Sequence, residues 1–388
     1  MVILCVSTNL FIIIDDIKSM TTITVKDITQ HLESLAPLSL QESYDNAGLL
    51  TGNNTQQVTK ILVSLDATEA VIDEAIAKKC ELVIAHHPII FGGIKKLNGK
   101  NYVERTIIKA IKNDIAIYAI HTNLDNVHTG VNRKIGEKLG LQNMQILSPM
   151  KGNLKKLSVF VPNVHVAAVQ NALFAIGCGH LGNYAECSFL SEGTGTYKGN
   201  ASANPYAGEK GKRHIEPETK LETVFQAHMQ QQVIKALIKN HPYEEVAYDI
   251  YSLENQNSQT GAGMIGNLPR PLAKKDFLNH IKTSMEANTI RYTETSENEI
   301  HKVAICGGAG SFLIKHAIAS GADAFVTADV KYHEFFDAEN RLMIADIGHY
   351  ESEIFTKELL KDVILEKFPT FAVLLSETIT NPINYYHS

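Results

Sequence analysis

The sequence predicts an α/β protein in which one α/β domain is split by an inserted ferredoxin-like α+β domain. Three observations predict it. Between residues 60 and 139 short apolar runs alternate with stretches of helical periodicity, the pattern of a parallel sheet with helices on its faces. That texture breaks near Ser148-Pro149 and returns from Gly261. Between the breaks, strand, helix and strand precede a polar glycine-rich stretch, and a second strand, helix and strand follow it, the order of a ferredoxin-like unit. The divisions read as 20–150 and 259–388 for the two halves of the α/β domain and 151–258 for the insert.

In the first half, residues 24–36 form an amphipathic helix. A strand at 60–66, a helix at 68–79, a strand at 82–85, a helix at 103–113, a strand at 115–120 and a helix at 131–139 follow. In the insert, strands fall at 154–161, 220–226 and 246–251 and helices at 164–176 and 230–239. The glycine-rich stretch from Glu192 to Glu216 reads as a mobile loop. In the second half, a helix at 277–286 precedes a strand at 303–306, a Gly307–Gly310 turn and a helix at 312–320. Strands at 324–327 and 342–346 lead to a last helix from Glu351 to Lys367.

The chain has 388 residues, enough for two or three domains, and 44% are apolar. A net charge of -6 argues against a general nucleic-acid binder, which is usually basic. The five cysteines are odd in number and lack a C-x-x-C pair, so they read as buried small hydrophobes. Residues 1–19 contain an apolar run broken by Ser7, Thr8 and Asn9, with no basic residue ahead of it. This fits neither a signal peptide nor a membrane span. With Met20 as a plausible start, they read as an extension, disordered or loosely packed. A cytoplasmic protein that does not engage membranes is the default expectation.

Three apolar runs end in metal-ligand residues: Leu82–Ala85 in His86-His87-Pro88, Ile117–Ile120 in His121 and Asp125, and Leu342–Ala345 in Asp346, His349 and Glu353. In open α/β sheets, sites gather at the carboxyl ends of strands. Adjacent histidines face opposite sides of a regular strand and share a site only where the strand ends, and Pro88 ends it. His349 and Glu353, four apart at a helix start, share a face. His121 is either a ligand or a partner that orients one. One composite centre for two divalent ions follows, with Zn, Mn, Fe and Co all compatible with histidine and carboxylate donors. Two such ions outweigh Asp125, Glu353 and a bridging hydroxide in charge, which favours an anionic small-molecule substrate such as a phosphate ester or nucleotide. Asp329 and His333, beyond another strand end, reach toward the same rim, and His333 and His121 are the candidates for moving protons. The Gly307–Gly310 turn is either a phosphate cradle or a plain tight turn. His241, Glu244 and Glu245 read as structural residues at a helix-to-strand turn.

These motifs resemble those of the GTP cyclohydrolase 1 type 2 homologue family, the Ngg1-interacting-factor-three-like proteins with a dinuclear metal centre. The resemblance runs from Met20 onward. It rests on Tyr44-Asp45-Asn46-Ala47-Gly48-Leu49, with Tyr44 where the family has Trp, on His86-His87-Pro88 and on His121-Thr122-Asn123-Leu124-Asp125. It rests also on Asp329 to His333, with Ala328 replacing a Gly, and on Gly348 to Glu353. It implies His86, His87, Asp125, His349 and Glu353 as ligands of two divalent ions. It also implies a homohexamer built from trimers, and an insert similar to PII signalling proteins. Three functions remain open at this point: a metal-dependent hydrolase, a metal-handling protein that stores or delivers iron or another ion, and a regulatory scaffold using the insert.

Overall fold

The computed structural model describes residues 22–386, so the expectation for residues 1–19 lies outside them. Helix α1 (Val25–Leu35) starts where Thr24 and Asp27 cap each other reciprocally, and it buries Val25, Ile28, Thr29 and Leu32 along one face. Strands β1 (Gly48–Thr51) and β2 (Lys60–Ser64), helix α2 (Glu69–Lys78), strand β3 (Leu82–Ala85), helix α3 (Tyr102–Lys112) and strand β4 (Ala116–Ala119) follow. The side chains of Thr68 and Asn101 cap α2 and α3. Both helices start one residue after these polar caps, each within one residue of the expected start. The short α4 (Thr122–Asp125) and α5 (Val131–Lys138) complete this part.

A long ladder comes next that the sequence reading does not contain. β5 (Gln142–Met150) pairs antiparallel with a strand spanning Asn257–Ala273, and Met150 faces Asn257. Between them lie β6 (Leu154–Pro162), α6 (Val166–Phe174), β7 (Ser188–Tyr197), β8 (His214–Gln226), α7 (Gln230–Asn240) and β9 (Tyr248–Leu253). These four strands form their own antiparallel sheet in the order β7-β8-β6-β9. Leu157, Val159 and Leu221 of that sheet pack with Leu173 of α6 and Val233 and Leu237 of α7 in a separate core.

The expected Glu192–Glu216 loop is strand at both ends. β7 runs to Tyr197, which pairs with His214, so only residues 198–213 connect the hairpin. Glycine there serves close approach: a Cβ on Gly195 would lie 1.9 Å from Glu218 Oε2.

The chain then runs through β10 (Asn257–Ala273), α8 (Lys274–Ser284), β11 (Arg291–Tyr292), β12 (Glu299–Ala309), α9 (Ile314–Ala319), β13 (Ala324–Ala328) and β14 (Met343–Asp346). The expected single last helix is two, α10 (His349–Glu353) and α11 (Thr356–Lys367), before β15 (Ala372–Leu375). Outside the four-stranded sheet there are two sheets among the described residues, ordered β1-β4-β3-β2-β15 and β11-β14-β13-β12-β10-β5. One core joins them, with Ile61, Ile84 and Tyr118 from the first and Val303, Ile305 and Val326 from the second.

Register positions the site. In the first sheet β2, β3 and β4 are parallel, and Ser64, Ala85 and Ala119 are level at their carboxyl ends. In the second, β12, β13 and β14 are parallel and end near Ala309, Ala328 and Asp346. The residues just past these ends come together. Among the described residues no helix is long and apolar enough to cross a membrane.

Candidate metal centre

His86 and His87 follow β3, His121 follows β4 and precedes α4, and Asp125 ends α4. His349 and Glu353 open and close α10, one turn past β14. The structure brings these six residues to one place. Three sets of potential donors, His86–His87–His121, His87–His349–Glu353 and His86–Asp125–Glu353, each lie within 4.8 Å of one another.

The imidazoles share a pattern. His86 Nδ1–H donates to the Ile120 carbonyl at 2.8 Å. His87 Nδ1–H donates to Asp66 at 2.8 Å, His121 Nδ1–H to Asp45 at 2.8 Å and His349 Nδ1–H to Asp329 at 2.7 Å. Each outer nitrogen therefore carries its proton toward an acceptor, and each Nε2 is left facing inward. Metal-ligating histidines are held in this way. Glu353 sits among the inward nitrogens, 2.9 Å from His87 Nε2 and 3.1 Å from His349 Nε2. His349 Nε2 and His87 Nε2 approach to 3.3 Å.

Within the cluster two buried atoms have no hydrogen-bond partner among the described residues: His86 Nε2 and Asp125 Oδ1, 3.6 Å apart. Unsatisfied buried polar atoms are costly and call for a partner. The donor set of imidazole nitrogens and carboxylate oxygens is one that divalent transition ions accept. On both counts these residues fit a metal.

Burial opposes ionisation of His87, but Asp66 and Glu353 outweigh it and raise its pKa to about 9. Asp329 and Glu353 likewise outweigh burial at His349 and raise it to about 11. Burial and the neighbouring charge of Glu353 push the Asp125 carboxyl up. Burial opposes ionisation of Glu353, but the His349 and His87 imidazoles beside it outweigh this and hold it well below the usual carboxylate range. Asp45, despite burial, is held at about 2 by His121 and Thr122. A divalent cation entering this cluster would displace protons.

The glycines at and just past the end of β12 make room rather than cradle. A Cβ on Gly308 would meet Glu353 Oε1 at 2.5 Å, and one on Gly310 would meet Thr327 Oγ1 at 2.3 Å. The N–H groups of Gly307, Gly308 and Gly310 donate to Asn132, Ser352 and Thr327, so they are not offered to a phosphate. The supposed turn is the end of a strand.

The remaining residues sort as follows. His333 sits exposed in a short helical turn, between the rings of Tyr332 and Phe336, and does not line the cleft. Asp346 is buried and accepts hydrogen bonds from Val330 N and Gly348 N, holding the turn into α10. His241 donates to the Phe160 carbonyl and accepts from Tyr243 N, the structural role the sequence assigns it. The sequence reading missed Asp45 and Asp66 as orienting carboxylates. Asp66 carries one usable signal, its place two residues past the end of β2.

The cluster lies at the base of a cleft of about 560 Å³, with Tyr44, Phe91 and Phe312 among its walls. Among the described residues no Lys or Arg lines it. Any attraction for an anion therefore has to come from the centre itself.

A family model described as Duf34/NIF3 (NGG1p interacting factor 3) matches residues 23–382. The chain is 40% identical over 363 residues to the GTP cyclohydrolase 1 type 2 homolog of Halalkalibacterium halodurans, covering 92% of this chain and 98% of that one. It is 39% identical to the Bacillus subtilis protein of the same name, covering 93% and 98%. A crystal structure of a Bacillus cereus protein related to NIF3 superposes with a TM-score of 0.82 at 37% identity, covering 94% of this chain and all of the other.

Proposed function

The chain belongs to the Duf34/NIF3 (NGG1p interacting factor 3) family, and from that premise we propose that it is a dinuclear metal-dependent hydrolase of a nucleotide or other phosphate-bearing compound. His86, His87, Asp125, His349 and Glu353 hold two divalent ions, Zn, Mn, Fe or Co. His121 joins them, because its Nε2 faces the same centre as those of His86 and His87. Such ions, when bound, lower the pKa of a shared water and polarise the bond attacked.

The observation that carries the reading is the coincidence of four imidazoles, each fixed by an acceptor at Nδ1, with a substrate-sized cleft above them. A metal store needs the first and not the second. The exposed rings of Tyr44, Phe91 and Phe312 line the cleft and offer apolar surface on which a planar group packs. With no Lys or Arg in the wall among the described residues, the pull on an anion comes from the bound ions themselves, with Asp66 and Asp329 also lining the cleft. The name borne by the bacterial relatives makes GTP the first substrate to try.

The same reading takes residues 151–258 as an inserted PII-like unit, supported by strands that pair only among themselves and a core of their own. It takes the protein as a cytoplasmic homohexamer.

The test is turnover of GTP and a panel of phosphoesters by protein loaded separately with Zn, Mn and Fe(II), with ions counted per chain and Asp125→Ala as the blank. Metal-dependent turnover that Asp125→Ala abolishes is the expected result. Two bound ions without turnover on any substrate overturn the hydrolase and leave a metal-handling protein.

A further inference from the structure

Two of the orienting carboxylates are themselves held by a threonine hydroxyl. Asp45 accepts from His121 on Oδ1 and from Thr122 N and Oγ1 on Oδ2. Asp66 accepts from His87 on Oδ1 and from Thr380 Oγ1 on Oδ2. The chemistry is the same but the provenance differs. Thr122 is the neighbour of the histidine it supports. Thr380 lies 314 residues along the chain from Asp66.

Thr380 belongs to a segment that follows β15 and has no helix or strand of its own. Glu74 of α2 ties this segment down at three successive residues. Its carboxylate accepts from Ser376 Oγ at 2.7 Å, from Glu377 N at 2.9 Å and from Thr378 Oγ1 at 2.6 Å. Asn381 then donates to Glu351 at 3.2 Å, and Asn381, Pro382 and Ile383 wall the cleft. Thr380 is thus held between an anchor on one side and the cleft wall on the other.

We propose that Thr380 is a positioning residue for the metal centre: its hydroxyl fixes the Asp66 carboxylate, which fixes the His87 ring so that Nε2 faces the ions. The C-terminal segment is then part of the centre's outer support as well as a wall of its cleft. A carboxylate with one oxygen unheld swings about its Cβ–Cγ bond, and the imidazole it anchors swings with it. Partners at this remove from a metal typically change its affinity about 10–100-fold when lost. The inference rests on the reading of the cluster as a two-ion centre.

The experiment measures ion binding by the full chain with Co(II), through stoichiometry and the visible d–d spectrum, for the wild type, Thr380→Val and Thr380→Ser. The expected result is two ions in the wild type, about a tenfold or greater loss of affinity for one of them with an altered spectrum in Thr380→Val, and wild-type behaviour in Thr380→Ser. Circular dichroism and thermal unfolding of the ion-free proteins should be alike, which separates positioning from damage to the fold. Wild-type affinity and spectrum in Thr380→Val overturn the role of Thr380 and leave the two-ion centre standing. Equal losses in Thr380→Ser and Thr380→Val overturn it too, because the serine hydroxyl preserves the hydrogen bond. A wild type that binds no ion overturns the underlying reading instead.

Discussion

Gly308 lies directly beneath Glu353: a Cβ added to the glycine would come within 2.5 Å of Glu353 Oε1 and 3.3 Å of His349 Cε1. The glycine also has a φ of +60°, a conformation disfavoured for residues with a side chain. Gly308→Ala should therefore push Glu353 off the inward nitrogens and cost roughly 1–2 kcal/mol in backbone strain. Metal analysis should find fewer than two ions per chain, and urea unfolding should find the lower stability. Two ions at wild-type affinity would mean that Glu353 adapts and does not need this space.

His121 and His333 separate by experiment. The ring of His121 is held by Asp45, and its Nε2 joins the set with His86 and His87. Its replacement by alanine should lower ion content toward one per chain. His333 is exposed and outside the cleft wall, so His333→Ala should leave ion content unchanged. Full ion content in His121→Ala with lost turnover would return His121 to a proton-moving role.

Chelation should destabilise the fold. His86 Nε2 and Asp125 Oδ1 are buried without partners, and a bound cation would satisfy both. A site at one hundred times its dissociation constant in free ion contributes about 2.7 kcal/mol. Thermal unfolding with and without a strong chelator reads this directly. An unchanged midpoint in protein shown to carry two ions would mean that the ions bind the unfolded chain as well.

Glu74 sets an acid limit on the anchored C-terminal segment. Burial raises its pKa, but hydrogen bonds from Lys78, Ser376, Thr378 and Glu377 more than reverse this and hold it at about 2. A depressed folded-state pKa stabilises above the unfolded value, here 4.5, and that stability is lost as pH falls from there through about 2. Glu74→Gln should thus cost of the order of 1–3 kcal/mol at pH 7, and the gap to the wild type should narrow below about pH 4.5. Urea curves for both proteins at pH 7, 4 and 3 test it. A gap that stays constant over that range would show that the charge contributes nothing.

The first sheet and the clustering of its histidines were legible because β3 and β4 are uninterrupted apolar runs that stop at polar residues. Register alone then brings His86, His87 and His121 level. The β5–β10 ladder was not legible. β10 contains Gly261, Gly263, Gly266, Pro269 and Pro271, a composition that reads as loop, and its strand state comes from pairing on both sides. The orienting carboxylates were hidden for a related reason. Asp45 and Asp66 acquire their roles only across folds of the chain, from His121 and from His87 and Thr380. His333 follows the same strand end as Asp329, which is why the sequence aims it at the rim. Asp329 turns there with a φ of +53°, and His333 finishes among Tyr332 and Phe336 on the surface.

The division of the candidate ligands between two sheets has a consequence for synthesis. His87 and Glu353, which touch in the folded protein, are 266 residues apart. At about 5–20 residues per second on the ribosome, roughly 13–53 s separate their emergence. For most of that interval, once Asp125 has emerged, the nascent chain displays His86, His87, His121 and Asp125 without the acidic partner that completes the cluster. A metal taken up early would meet an imidazole-rich half-site with different preferences from the finished one. Which ion the mature protein carries would then depend on when loading happens as well as on affinity, and protein made in metal-starved cells and loaded after folding need not match protein loaded during growth.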